Sequence, residues 1–220
     1  MELKEIDIED IEDLILKVEN SFQIQFEQNE LQNVKTYGDL CDEITKKIKL
    51  QNVDDCTSQQ AFYKLRNVII KATESEKNEI NRKTELRNLF PKKNRIKKIR
   101  EIENELGFEL SILRPTNFVS GIISLIMLVS LIGIFFSWKL GLLGIGMSIF
   151  GFWIAQKTGN TFTLKTVENL ADKMVRDNYL KSRRNTKTVN RKEIENVISD
   201  LFSDYLYLDK SKLTREAELY

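Results

Sequence analysis

Charge all but disappears from the middle of this chain, and that absence constrains its fold more than any other feature. Phe118–Trp138 is a run of 21 residues without a charged side chain, and after the single Lys139 a further 16 follow from Leu140 to Ala155. The first run is long enough to cross a bilayer as a helix, and the second suffices if Trp138 and Gln156 sit in the interfaces. The spacing predicts a transmembrane hairpin over 117–156. A buried hairpin of a soluble protein is the alternative, but nothing else in the chain is apolar enough to cover both helices. Nine Lys/Arg lie between Arg82 and Arg100, and Lys157, Lys165, Lys173 and Arg176 follow the second run, against only Lys139 between the runs. The positive-inside bias therefore puts both termini on the cytoplasmic side of a two-span membrane protein. Small residues recur four apart at Ser120/Ser124, Gly144/Ser148 and Gly151/Ala155, a spacing that suits close helix packing within one hairpin or between hairpins of an oligomer.

Composition narrows the chemistry. Lys+Arg number 34 and Asp+Glu 33, so no global field draws in nucleic acid, and the basic run lacks interleaved stacking aromatics. Histidine is absent, which removes Ser/His/Asp triads, Cys/His pairs and His-based zinc sites together. The carboxylates fall on solvated helix faces and not in a recognisable pocket motif. The expectation is a protein that is not an enzyme and holds no metal and no cofactor. Cys41 and Cys56 form neither a CxxC pair nor a disulfide framework, and Cys41 falls at a buried helix position.

Outside the apolar runs the periodicity is helical. Ile8, Ile11, Leu14, Ile15, Val18 and Phe22 form one stripe, Phe62, Leu65, Val68, Ile69 and Ala72 a second, and Ile96, Ile99, Ile102 and Leu106 a third that stops at Gly107. Thr57-Ser58-Gln59-Gln60 is spaced as a capping box for the second. Three blocks then recur. Val18 to Phe26 matches Ile102 to Leu110 in apolar spacing and a shared Glu-Asn, and Lys35 to Ile44 matches Lys165 to Met174. Ile80-Asn81-Arg82-Lys83-Thr84-Glu85-Leu86 matches Leu213-Thr214-Arg215-Glu216-Ala217-Glu218-Leu219, each after an amphipathic helix, with a gap read as four residues longer in the C-terminal copy.

This succession of amphipathic helix, loop, second helix, short loop and a last helix opened by Thr-x-x-x-Leu resembles the acyl carrier protein family. The resemblance implies an all-α chain of two small acyl-carrier-like bundles plus the two-helix hairpin. One bundle is circularly permuted, 1–50 with 191–220. The other is 57–114 with 158–180 and carries the hairpin as an insertion, and 181–190 is a solvated linker. In that family the second helix opens with Asp-Ser-Leu, whose serine bears 4′-phosphopantetheine. Counting back from Phe22 and Leu106 to that position gives Ile8 and Lys92, so neither copy has the hydroxyl, and Ser58 at a helix start is the nearest substitute.

The charges are polarised. Residues 1–30 hold ten Asp+Glu and two Lys, whereas 82–100 hold nine Lys+Arg and one Glu. Glu9, Asp10, Glu12 and Asp13 lie opposite the first apolar stripe, where carrier-like proteins present acidic helices to partners. Lys92, Lys93, Arg95, Lys97, Lys98 and Arg100 precede the first span closely enough to meet lipid headgroups. The expected function is a membrane-anchored, non-catalytic binding or scaffold protein whose partners are membrane lipids and another protein. The alternatives are an atypical phosphopantetheine carrier, or an oligomeric membrane device associating through the hairpin or by domain swapping.

Overall fold

The computed structural model describes residues 6–27 and 29–219, with the side chain of Ile8 excepted. They are mostly helical, 62% helix against 6% strand. The chain divides into two compact units, Met1–Val68 with Glu168–Tyr220 and Ile69–Val167.

In the first unit, α1 (Ile8–Phe22) starts where the Asp7 carboxylate accepts from the Glu9 N–H, and α2 (Tyr37–Lys47) starts from a capping box of Thr36 and Asp39. Both bury one face, Leu14, Val18 and Phe22 from α1 and Leu40, Cys41 and Ile44 from α2, against Ile194, Ile198 and Phe202 of α10 (Arg191–Tyr205). The Tyr37 and Phe202 rings meet edge to face with centroids 5.2 Å apart. The C-terminal segment then lies against the start of α2. Leu219 N–H donates to the Lys35 carbonyl at 2.9 Å, and the N–H groups of Tyr37 and Gly38 donate to the carbonyls of Ala217 and Arg215 at 2.8 and 2.9 Å. Gly38 is required there, because a Cβ would come within 2.6 Å of the Arg215 carbonyl oxygen. The Arg215 guanidinium spans Asp42 and Glu195 at 2.6 and 2.9 Å, and the Asp42 carboxylate above all holds it charged. The span that would join Met1 to Tyr220 lies outside the described residues.

Residues 181–190 do not form the expected solvated linker. Ser182, Arg183, Thr188, Val189 and Asn190 are buried, following the short α9 (Tyr179–Ser182) and running into β4 (Thr188–Val189), which pairs in parallel with β1 (Gln51–Asn52). The cause is Arg183. Its guanidinium donates to Asp55, to Thr57 Oγ1 at 2.5 Å and to Thr188 Oγ1 at 3.3 Å. The Tyr179 hydroxyl donates to Glu193 at 3.2 Å, and the Asn190 amide donates to the Asp55 carbonyl at 2.9 Å. This cluster also replaces the expected capping box of α3 (Thr57–Thr73). Glu193 takes the Thr57 N–H at 3.1 Å, and Gln60 turns away to Asp55 and to the Arg184 N–H.

In the second unit, α5 (Arg95–Leu106) follows the short α4 (Leu86–Leu89) and stops at Gly107, whose φ of 78° suits glycine. Two helices, α6 (Asn117–Gly133) and α7 (Trp138–Thr158), pack as a hairpin on a neck of two antiparallel strands, β2 (Leu113–Arg114) and β3 (Thr161–Phe162). The backbone comes so close at the neck that a Cβ on Gly159 would lie 2.5 Å from the Arg114 carbonyl carbon.

The blocks that match in sequence share their local geometry. Gln23 and Gly107 both end a helix in the left-handed region, and the carboxylates of Glu19 and Glu103 take the N–H of Phe26 and Leu110 at 2.6 and 2.8 Å. The bridge of Thr36 to Glu218 has its counterpart in that of Thr166 to Glu85, and Leu86 N–H donates to the Lys165 carbonyl as Leu219 does to that of Lys35. Tyr207 and Glu74, both with positive φ, precede 3₁₀ turns at Lys210–Lys212 and Lys77–Glu79. These markers put the two segments in the same spacing from the first helix onward, so the extra four residues expected in the C-terminal one are not there. The division into compact units falls within α3, at Val68, and at the start of α8 (Val167–Asp177), not at the expected bounds of 57 and 180. Ala61, Val175, Tyr179 and Leu180 pack in the core of the first unit, whereas Leu65, Ile69, Leu170 and Met174 are buried outside that core.

Arg183→Leu should lower the unfolding free energy by about 3 kcal/mol, since it leaves buried hydroxyls and a carboxylate without their donor, while Arg184→Leu at an exposed site should change it by less than about 0.5 kcal/mol. Denaturant midpoints test both. Burial pushes the Cys41 thiol up to about 12. The unfolded thiol ionises at about 8.5, so the stabilisation it gives below that pH is lost along a falling slope as pH rises toward 12. Cys41→Ala should flatten that slope, and in the native chain a thiol reagent should modify exposed Cys56 while sparing Cys41.

Candidate functional site

Apolar side chains cover the outside of the hairpin. Leu125, Leu128 and Val129 of α6 and Leu142, Met147, Phe150 and Trp153 of α7 are exposed, and Phe135 and Phe136 at the tip are 90% and 89% accessible. The two helices touch through small residues. Ser148 and Ala155 are buried, and a Cβ on Gly144 would lie 2.1 Å from Ser130 Oγ and 2.8 Å from its Cβ, whereas one on Gly146 would meet nothing within 4 Å. Among the described residues one helix, α7, is long and apolar enough to cross a membrane, and α6 is a shorter apolar helix. This reverses the expected order of lengths. The chain turns at Ile134–Ser137, so Phe135 and Phe136 lie at the tip, and Trp138 and Lys139 begin α7.

At the base of the hairpin, on the second unit, the basic run resolves into three kinds of position. Lys92, Lys93, Lys97 and Arg100 line an open cavity of about 510 Å³ together with Glu101, Asn104 and Asn160. Lys98 is half-buried and outside that cavity. Arg95 is buried, and the expectation that it meets headgroups is withdrawn: its Nε donates to the Phe90 carbonyl at 2.9 Å, another guanidinium nitrogen donates to the Asn160 carbonyl, and the group lies 4.5 Å over the Phe162 ring. Burial lowers its pKa from the ordinary guanidinium value. Arg95 thus ties α5 to the neck of the hairpin.

The acidic residues Glu9, Asp10, Glu12 and Asp13 are all exposed on α1, on one face of the first unit. Asp13 accepts from the Tyr205 hydroxyl at 3.4 Å, and burial followed by this carboxylate raises the pKa of that tyrosine. Lys17 lies 4.5 Å over the same ring. Ser58 is half-buried in the first turn of α3, next to the buried Thr57. Neither α1 nor α5 begins from a serine: Asp7 precedes α1 and Asn94 precedes α5.

Sequence reasoning missed the contributions of Arg87, Asn160 and Lys165. Arg87 and Lys165 line a second basic cavity of about 430 Å³ that shares Lys92 with the first, and the Asn160 amide donates to the Lys92 carbonyl at 2.8 Å. Their remoteness from residues 92–100 in sequence hid them. No protein-family model, curated protein or solved structure matches this chain.

Gly144→Leu should force α6 and α7 apart and cost about 1–3 kcal/mol, as overpacking does, whereas Gly146→Leu should cost little. Thermal unfolding of the full chain in detergent, followed by circular dichroism, separates the two outcomes.

Proposed function

We propose that this chain is a membrane-anchored, non-catalytic binding protein. Its two helical units are copies of one acyl-carrier-like plan without the prosthetic-group serine, its hairpin holds it in lipid, and its helix surfaces recruit a protein partner on the cytoplasmic side. The observation that carries the reading is the hairpin: α6 and α7 close on each other through glycine, serine and alanine and leave large apolar side chains facing outward. An outward surface of that kind suits lipid and not water. The hairpin crosses the membrane twice. At about 1.5 Å per residue α7 extends about 31 Å and α6 about 25 Å, and the tip residues Ile134–Phe136 supply the remaining apolar length before Trp138. The matched bonds of Glu19 and Glu103, and of Lys35 and Lys165, support the duplicated plan. The recruiting surface is the acidic face of α1, four carboxylates projecting from a helix held rigidly by its buried stripe.

Topology tests the anchor. In sealed vesicles an impermeant maleimide should label Cys56 from the side that bears the termini, and Phe136→Cys in a Cys56→Ser background only from the opposite side. Labelling of both from one side would replace two spans with a hairpin that dips into one leaflet. Reversing Glu9, Asp10, Glu12 and Asp13 to lysine should reduce co-purification of a partner from detergent extract at least about tenfold without changing helicity, and an unchanged yield would remove α1 from the recruiting surface.

A further inference from the structure

We infer that Lys92, Lys93, Lys97 and Arg100 form a headgroup site for an anionic phospholipid where the hairpin leaves the membrane, an inference that rests on the membrane-anchored reading. Distance along the chain does not show this, because the basic run precedes α6 by more than a dozen residues. The fold does. Asn160 lies two residues beyond the end of α7, and its amide grips the Lys92 carbonyl at 2.8 Å, so the cavity opens where the long apolar helix ends. Arg95 reinforces the placement by binding the carbonyls of Phe90 and Asn160 at once, which makes the cavity wall part of the neck. One turn inside, the Lys157 ammonium lies 3.8 Å over the Trp153 ring, an interfacial pair of aromatic and cation at the same end.

The charge balance of the cavity selects its ligand. Four cations line it against the single carboxylate of Glu101, which is 3.9 Å from Lys97. Among the described residues Lys92, Lys93 and Arg100 make no ion pair. They stand at headgroup depth, where a phosphodiester that carries a net negative charge neutralises them and a zwitterionic headgroup brings its own cation into the same place. Arg95, with its donors spent on backbone carbonyls, is excluded from the site. The ligand is therefore a lipid such as phosphatidylglycerol and not phosphatidylcholine.

The test uses the full chain carrying Trp138→Phe, which leaves Trp153 as the one tryptophan. It is reconstituted into phosphatidylcholine vesicles containing equal mole fractions of either brominated phosphatidylcholine or brominated phosphatidylglycerol. The anionic lipid should be enriched at Trp153 by at least about fivefold over its bulk fraction. Changing Lys92, Lys93, Lys97 and Arg100 to glutamine should bring that ratio to one, and Lys77→Gln with Lys83→Gln, exposed on the same unit, should leave it unchanged. Equal quenching by the two lipids overturns the site while leaving the anchor intact. Quenching by neither lipid overturns the anchor itself. Loss of the preference on adding millimolar glycerol phosphate would make it a site for soluble phosphate, and the lipid assignment would fall.

Discussion

The first unit depends on a few backbone hydrogen bonds made by the last described residues. Leu219, Ala217 and Arg215 pair with Lys35, Tyr37 and Gly38 and fasten the segment after α10 to the start of α2, beside the direct contact in which the Tyr37 hydroxyl donates to the Glu195 carbonyl of α10 at 3.2 Å. The pairing is close because residue 38 is glycine, and it is locked from outside by one guanidinium that spans α2 and α10. Burial of Leu14, Phe22, Ile44, Ile198 and Phe202 supplies the driving force, but it is non-directional. The backbone pairing fixes which register of the helices that burial stabilises.

Two buried arginines act as clasps, one in each unit. A desolvated guanidinium is costly unless its donors are satisfied, and both meet that condition differently. Arg183 is held by a carboxylate and hydroxyls and joins the start of α3 to the β1–β4 pair and α10. Arg95 is held by main-chain carbonyls and an aromatic ring, and joins α5 to the hairpin neck. In each case a long, forked donor reaches segments far apart in sequence that small irregular strands alone would secure weakly.

Both clasps explain what the sequence concealed. The stripes at Ile11–Phe22, Phe62–Ile69 and Ile99–Leu106 are legible because helix burial repeats every three to four residues, and the stop at Gly107 is legible because glycine tolerates positive φ. Arg95 sits in a run of six basic residues and Arg183 beside Arg184 and Lys187, and nothing local distinguishes the buried member from its solvated neighbours. Gln23 makes the same left-handed helix stop as Gly107 without advertising it by residue type. The turn at Ile134–Ser137 is likewise hidden, since Ile, Phe and Ser there look like a continuation of the helix. Part of the candidate site was visible as a charge run. The cavity was not, because Asn160, Lys165 and Arg87 reach it only through the neck.

The position of the hairpin follows from the same repeated bonds. In the first unit a short loop connects the end of α1 to the start of α2. Its two ends are set by Glu19 bonding the Phe26 N–H and by Lys35–Tyr37 pairing with 217–219. In the second unit Glu103 and Lys165–Val167 set the corresponding ends in the same way, yet the intervening segment holds β2, α6, α7 and β3. Because both ends are held by bonds outside the insertion, its length carries only a slowly growing entropic cost, and the strand pair at its base shortens the effective loop further. An apolar hairpin can therefore be mounted there without disturbing the helices on either side. The cations of α5 are brought to its base because Arg95 and Asn160 belong to the same neck.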